Sequence, residues 1–113
     1  MSQSTTNLFD LIPIVTVQSE TVSDGSIVVL QPKFRHPLLV KYLLPKLKKP
    51  YFRIALDRFG SFVWQQCNGS QTVKQIVKLF KENFPADAAM ADERVAIFMQ
   101  RLQRLQLLEF RSG

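Results

Sequence analysis

Residues 51–84 change their hydrophobic periodicity twice, and this change constrains the fold more than any other feature of the chain. The stretch YFRIAL, residues 51–56, alternates as a β-strand does, with Phe52, Ile54 and Leu56 on one face. We expect that face to be buried. The residues that follow have helical spacing, so the strand leads directly into a helix and the two must share one core.

A tight turn separates two helices in this part of the chain. The first helix is predicted for residues 58–67, and it is ended by Asn68 and Gly69, because either tolerates the left-handed backbone conformation found at helix C-termini. Thr72 and Gln75 have the spacing of a capping box, which marks the start of the second helix. The predicted apolar stripe of this second helix consists of Val73, Ile76, Val77, Phe80 and Phe84.

A third helical pattern occupies residues 87–110, where apolar side chains recur in steps of four and three. Its predicted buried stripe consists of Ala91, Val95, Phe98, Leu102 and Leu105. The polar side chains on its opposite face are Arg94, Gln100, Arg101, Gln103 and Arg104. Acids lie in the first half of this segment and arginines further along, an order that suits the helix dipole.

The N-terminal third has the pattern of a β-hairpin. Residues 1–10 are expected to be flexible, since this end is rich in Ser, Thr, Gln and Asn. Residues 11–34 then contain two runs rich in β-branched residues, LIPIVTVQSE and SIVVLQPKF. Asp24 and Gly25 lie between the runs and supply turn chemistry. The pattern therefore predicts a hairpin over residues 11–34.

Positive charge is concentrated in the middle of the chain. Residues 33–58 contain eight Lys and Arg residues and one acid, a net charge of +7 in a chain whose total is +6. Such a field favours an acidic partner, whether a peptide, a nucleic acid or a lipid headgroup. A solvated face that only keeps the protein in solution is the other interpretation.

Residues 35–50, which we call the basic segment, precede the strand that starts at residue 51. A short helix is predicted for residues 37–44, because Pro45 breaks any longer one. The apolar side chains at helical spacing are Leu38, Leu39, Tyr42, Leu43 and Leu47. We expect them to cover one edge of the core. An apolar face that is framed by lysines and lies on a membrane surface is the alternative.

These elements predict one α+β domain over residues 1–113, a length that buries a core without disulfides. The order is β-β-β-α-α-α, with the basic segment as a short insertion before the third strand. A three-stranded antiparallel sheet packs on three helices in this prediction, and residues 51–110 form the β-α-α-α core.

The chain is poor in catalytic residues. His36 and Cys67 are its only residues of these types and lie in different segments, and a buried cysteine is usually a small apolar filler. Together they supply too few ligands for a zinc site, and the four glycines are too scattered for a phosphate-binding loop. We therefore expect a binding protein that is not an enzyme and that has no metal or other cofactor.

The third strand offers a binding surface. If the hairpin pairs with only one of its edges, the other edge presents unpaired N–H and C=O groups to which an extended peptide can add as a further strand. Exposed arginines on the last helix would flank such a groove and hold acidic side chains of the peptide.

Several features of residues 51–110 occur together. They are Leu56-Asp57, Val63-Trp64, the Asn68-Gly69 turn, Thr72-Val73 with Ile76, and the closing stripe of Phe98 and Leu102. As a set they resemble the PqqD family, small proteins related to the pyrroloquinoline quinone biosynthesis factor. The resemblance implies a winged-helix-like fold of three strands and three helices. Two features depart from the quinone-biosynthesis member: the basic segment, and Asp57, where that member tends to have Asn. The resemblance therefore identifies a family but does not identify the biosynthetic product.

The resemblance also implies a function, which is to capture the leader segment of a ribosomally made precursor peptide and present it to a modifying enzyme, often a radical SAM protein. The resemblance implies that the peptide binds in the groove between the third strand and the third helix. Carried onto this chain, the peptide-binding residues are Tyr51, Phe52, Arg53, Ile54 and Ala55 on the strand, with Arg94, Phe98, Arg101 and Leu102 on the helix.

Two other functions stay open. A winged-helix nucleic-acid-binding protein would use the second helix, where Lys74, Gln75 and Lys78 are expected to be exposed; nucleic acid is the less favoured partner, since acids at the start of the last helix repel phosphates. A homodimer would join through the open strand edge. Without a secretory signal or a run of about 18 apolar residues, we expect a cytoplasmic, bacterial protein with no membrane span.

Overall fold

The computed structural model describes residues 7–112, so the expected flexibility of the first six residues lies outside the described part. The α+β class is confirmed. The strands are β1 (Leu11–Val15), β2 (Ser19–Thr21), β3 (Ile27–Pro32), β4 (Tyr51–Ala55) and β5 (Leu108–Ser112). The α-helices are α1 (Pro37–Tyr42), α2 (Arg58–Gln66), α3 (Val73–Asn83) and α4 (Ala91–Arg104). Short 3-10 helices lie at Leu8–Asp10, Leu44–Lys46 and Pro85–Met90.

The described residues divide into two compact units. One unit comprises residues 7–16 and 59–112, and the other comprises Val17–Arg58. The strands divide in the same way. β1 and β5 form an antiparallel pair in the first unit, while β2, β3 and β4 form an antiparallel sheet in that order in the second.

The predicted hairpin over residues 11–34 is wrong in its first strand, and with it the order β-β-β-α-α-α. Leu11–Val15 pairs with the C-terminal strand, where Pro13 lies opposite Phe110. From the predicted first strand and the residue after it, the segment that pairs with β3 is Ser19–Thr21. The change of partner occurs inside LIPIVTVQSE, a run in which no glycine or asparagine marks the break. The long-range partner of β1 therefore decides where the strand ends.

The turn of the hairpin is confirmed at Asp24 and Gly25. Gly25 has a φ of +87°, a conformation that favours glycine. The Asp24 carboxylate accepts hydrogen bonds from the Ser26 hydroxyl at 2.6 Å and from the Ser26 N–H at 2.9 Å. These bonds, the hydroxyl first, hold the pKa of Asp24 below its ordinary value.

Helix α3 is confirmed with its start and its apolar stripe. The Gln75 N–H donates to Thr72 Oγ1 at 3.2 Å, and the Thr72 N–H donates to Gln75 Oε1 at 2.7 Å, which completes the capping box. Val73, Ile76, Val77 and Phe80 are buried. The preceding turn is confirmed too, since Gly69 has a φ of +85°.

Helix α4 ends at Arg104 and does not continue to residue 110 as predicted. Gln106 adopts a φ of +62°, and the Leu107 N–H donates to the Leu102 C=O at 2.8 Å. A second bond runs from the Gln106 N–H to the Gln103 C=O at 2.9 Å. This pair of bonds is a Schellman motif, which closes the helix and directs the chain into β5.

The buried stripe of α4 also differs from the prediction. It consists of Ala91, Val95, Met99 and Leu102. Phe98 is only half-buried, and Leu105 is exposed because it lies beyond the end of the helix. Within the described residues, no helix has the length and apolar character needed to cross a membrane.

The core of the first unit combines these stripes with an aromatic cluster. Its ring centroids lie between 4.8 and 5.7 Å apart. The rings belong to Phe59, Phe62, Phe80 and Phe84. α3 packs against α4 and against β1, so the helices and the two-stranded sheet share this core.

The basic segment forms the short helix that the sequence predicts. The Leu38 N–H donates to His36 Nδ1 at 3.2 Å, so His36 caps α1. The expectation that the leucines of this segment cover the core is wrong. Leu38, Leu39, Tyr42, Leu43 and Leu47 are exposed, and Leu44 is the buried side chain of the segment.

Candidate functional site

Strand β4 lies at an edge of the three-stranded sheet. β3 is the central strand, and within residues 7–112 no other strand pairs with β4. Its register places Ile54 opposite Val29 and Phe52 opposite Gln31. One edge of β4 is therefore not paired with any described strand, which is the condition that the sequence analysis set for a binding edge.

The backbone groups of β4 alternate between β3 and the open edge. The Leu56 N–H donates to the Ile27 C=O at 2.9 Å, and the Lys33 N–H donates to the Pro50 C=O at 3.1 Å. In an antiparallel ladder, residues two apart point the same way. The even-numbered residues 50–56 therefore face β3, which leaves the N–H and C=O groups of Tyr51, Arg53 and Ala55 directed outward.

The side chains of β4 are more exposed than predicted. Phe52 is 54% exposed, so its predicted place on a buried face is wrong, while Ile54 and Leu56 are half-buried. Lys33 Nζ lies 5.2 Å from the centroid of the Phe52 ring. The Lys33 ammonium thus lies over a ring that is largely exposed.

Arg53 forms an ion pair within the same sheet. Its Nη1 lies 2.6 Å from Glu20 Oε1 in β2. The positive charge of the Arg53 side chain is therefore already balanced by the Glu20 carboxylate. The Lys33 ammonium, by contrast, has no ion pair among the described residues. Lys33 is thus one cation beside β4 that is available to an acidic ligand.

The predicted site residues of α4 lie in the other unit and differ in their availability. Arg94 donates to Asp87 Oδ1 at 3.0 Å, and its guanidinium carbon lies 4.3 Å from the centroid of the Phe59 ring. Leu102 is 4% exposed and belongs to the core. Arg101 is exposed and makes no ion pair within the described residues.

The sequence analysis did not predict the ion-pair partners of Arg53 and Arg94. Glu20 reaches Arg53 only because β2, β3 and β4 are aligned in register, and no sequence spacing reveals that alignment. Asp87 and Arg94, by contrast, lie seven residues apart, close to two helical turns. That spacing is a signal by which the second pair could have been found.

The two residues considered for catalysis have structural roles. Cys67 is buried, and burial raises the pKa of its thiol to about 12, so the reactive thiolate is not formed at neutral pH. Its Sγ donates to the Val63 C=O at 3.3 Å. The described residues contain no group of three or more potential metal ligands.

Helix α3, which was considered for nucleic-acid binding, has two of its three predicted contact side chains exposed and outside the capping box. Lys74 and Lys78 are exposed on α3. The Gln75 side chain is instead held in the capping box by the Thr72 N–H. A base-reading helix needs polar side chains near its start, so this bond removes one of the few that α3 offers.

Comparison with known proteins gives a family. No curated protein and no solved structure gave a significant match. The sequence pattern of the family described as coenzyme PQQ synthesis protein D (PqqD) matches residues 51–108, which include β4, α2, α3 and α4. The match covers more than half of the chain, and it contains all nine residues of the predicted site. The chain therefore belongs to the PqqD family of biosynthetic accessory proteins.

Proposed function

We propose that this protein is a non-catalytic peptide-binding module that captures the leader segment of a ribosomally made precursor peptide and presents it to a modifying enzyme, a radical SAM protein or another peptide-modifying enzyme. The observation that carries the proposal is the open edge of β4, where the backbone of Tyr51, Arg53 and Ala55 is directed outward. Membership in the PqqD family supports it.

An extended peptide fits this edge because a strand recognises a strand through its main chain. Tyr51, Arg53 and Ala55 each offer one N–H donor and one C=O acceptor, and an added strand pairs with them in alternation. These bonds set the register without requiring a particular peptide sequence. The exposed ring of Phe52 and the half-buried Ile54 lie on one face and supply apolar contact with every second residue of the peptide.

Charge selects among extended peptides. The net charge of +7 over residues 33–58 attracts acidic peptides and accelerates their association. Lys33 carries an ammonium beside the Phe52 ring and is not neutralised by a described carboxylate. A leader peptide with acidic side chains and alternating apolar residues is therefore the favoured ligand.

The contribution of α4 to peptide binding is a separate part of the proposal. Among the four predicted residues, Arg101 is the one whose charge is available, because Arg94 is paired with Asp87 and Leu102 is buried. Phe98 is half-buried and presents only part of its ring. We therefore assign to Arg101 the contact with an acidic side chain of the peptide.

Hydrogen exchange tests the proposal at single residues. Synthetic leader peptides from candidate precursors are titrated into the isotope-labelled protein, with a scrambled peptide of equal composition as the control. We expect binding in the micromolar range or tighter, and new protection of the outward amides of Tyr51, Arg53 and Ala55. The inward amides of Phe52 and Ile54 are protected before the peptide is added. Unchanged exchange at the outward amides across the panel would contradict the proposal.

Two other occupants of the chain's surfaces give different results in simple experiments. A homodimer that joins through β4 shows concentration-dependent light scattering that falls when the peptide is added. Nucleic-acid binding through Lys74 and Lys78 gives a gel shift that weakens steeply with salt. The peptide-binding proposal predicts no gel shift with nucleic acid. It also predicts that the resonances of the α3 amides stay unchanged when the peptide is added.

A further inference from the structure

The basic segment presents an apolar surface that is independent of the β4 edge. Six large apolar side chains of this segment are between 36% and 59% exposed. They are Leu38, Leu39, Val40, Tyr42, Leu43 and Leu47. Exposed leucines and valines scattered singly are ordinary, but so many within ten consecutive residues mark an interaction surface.

Local hydrogen bonds hold the backbone of this surface. The Leu43 N–H donates to the Leu39 C=O at 2.9 Å, and the Leu47 N–H donates to the Leu44 C=O at 3.1 Å. Leu44 is buried and fixes the segment at its centre. The exposed leucines are thus presented by a locally hydrogen-bonded helical segment, as in amphipathic segments that lie at a lipid interface.

The charges around the surface have one sign. The chain has no Asp or Glu between Asp24 and Asp57. The lysines of this stretch are Lys33, Lys41, Lys46, Lys48 and Lys49. Lysine is depleted at protein–protein interfaces, whereas lysines beside exposed leucines and a tyrosine are typical of segments that bind anionic lipid surfaces.

We propose that the basic segment binds peripherally to a bilayer that contains anionic phospholipids. The leucines enter the boundary between headgroups and acyl chains, and the lysines contact lipid phosphates. Lys41 Nζ lies 5.3 Å from the centroid of the Tyr42 ring, so an apolar ring and a cation are already placed together. A bilayer accepts this exposed surface without the shape complementarity that a protein partner requires.

Vesicle flotation with the full chain tests the proposal. Vesicles of phosphatidylcholine alone are compared with vesicles that also contain phosphatidylglycerol, at about 0.05 M and about 0.5 M salt, where the Debye length differs about threefold. We expect binding to the anionic vesicles at low salt and its loss at high salt. If the protein does not float with anionic vesicles at low salt, the proposal is wrong, and an acidic protein surface becomes the occupant to test.

Matched variants locate the binding surface. The charge reversals Lys48→Glu and Lys49→Glu together are expected to lower partitioning at least about 25-fold, since each lysine near the surface contributes about fivefold. Lys74→Glu with Lys78→Glu changes the net charge equally on α3 and is expected to lower it less than about threefold. An equal loss in both pairs would overturn the proposal, because net charge alone would then explain binding.

A second pair of variants tests the leucines. Leu38→Ser with Leu43→Ser removes exposed apolar area from the basic segment, and Ile97→Ser with Leu105→Ser removes it from exposed positions at α4. All four positions are exposed, so the fold is retained, and circular dichroism checks it. We expect a loss of at least about tenfold for the first pair and no loss for the second. Equal partitioning of both pairs would contradict insertion of the leucines.

Discussion

Arg53 in β4 and Glu20 in β2 form a salt bridge across the central strand β3, with 2.6 Å between Arg53 Nη1 and Glu20 Oε1. Their side chains are 56% and 50% exposed, so the pair contributes less than about 1 kcal/mol to stability. The pair matters more for the proposed peptide binding. Glu20 neutralises the arginine of the open strand, and it would compete with acidic side chains of the proposed peptide.

Replacing Glu20 is therefore expected to strengthen peptide binding. In the Glu20→Gln variant, Arg53 becomes available to an acidic leader peptide, and we expect the affinity measured by calorimetry to rise about two- to fivefold at low salt. Thermal stability changes little. Glu82→Gln makes the same charge change at an exposed position of α3 and is the control. An equal gain in the control would show that Glu20 acts only through the net charge of the protein.

Proline substitutions separate the two edges of β4. Arg53→Pro removes an N–H that faces the open edge, so we expect the peptide affinity to be lost while thermal unfolding stays cooperative. Phe52→Pro removes an N–H that faces β3 and is expected to destabilise the sheet by an additional ~1 kcal/mol or more. Arg53→Ala removes the side chain alone and keeps most of the affinity. Peptide binding that survives in Arg53→Pro would mean that the outward backbone is not used.

Elements with local signals could be predicted from the sequence. The capping residues Thr72 and Gln75 fix the start of α3, and the positive φ of Gly69 fixes the preceding turn, because each depends on residues a few positions apart. The partner of β1 depends on a C-terminal strand at the other end of the chain. No local sequence pattern encodes this pairing of β1 with the C-terminal strand. Without that strand, β1 would lose the register that the structure shows.

The candidate site was predictable in part for the same reason. The alternation of residues 51–56 predicts strand β4, but which of its amides face outward depends on the pairing of Lys33 with Pro50. In α4, the spacing from Val95 to Leu102 allows either Phe98 or Met99 to complete the stripe. In the structure the helix is oriented about its axis so that Met99 is buried, and this leaves the Phe98 ring half-exposed.

Arg101 is expected to contribute charge to peptide binding. Arg101→Glu should weaken binding of an acidic leader peptide about fivefold or more, mostly through slower association, whereas Arg104→Glu makes the same charge change one helical turn away as the control. Arg94 is less suited to this test, since its replacement also breaks the pair with Asp87. Stopped-flow association rates at two salt concentrations provide the measurement. Equal effects at both positions would remove Arg101 from the site.

The end of α4 contains a position where glycine is expected to stabilise the protein. Gln106 occupies the left-handed position of the Schellman motif, with a φ of +62° that costs a side-chain-bearing residue about 1 kcal/mol. We expect Gln106→Gly to raise the free energy of unfolding by about 0.5 kcal/mol after the greater entropy of the unfolded glycine is included. Gln103→Gly, within the helix, is expected to lower it by about 1 kcal/mol. Urea unfolding of both variants tests the opposite signs.

The buried thiol of Cys67 is expected to make stability depend on alkaline pH. Burial raises its pKa from 9.0 to about 12, so the native state retains the proton that the unfolded state releases above pH 9. The stabilisation is complete below pH 9 and is lost as the pH rises from 9 to 12, at up to about 1.4 kcal/mol per pH unit. The measurement is the difference between the protein and its Cys67→Ala variant, by urea unfolding at about pH 8 and about pH 10, so that contributions common to both proteins cancel. The cavity left by the substitution lowers the stability of the variant equally at both pH values. We expect the protein's advantage over the variant to shrink by about 1 kcal/mol at the higher pH, and an advantage that does not change would contradict a raised pKa at Cys67.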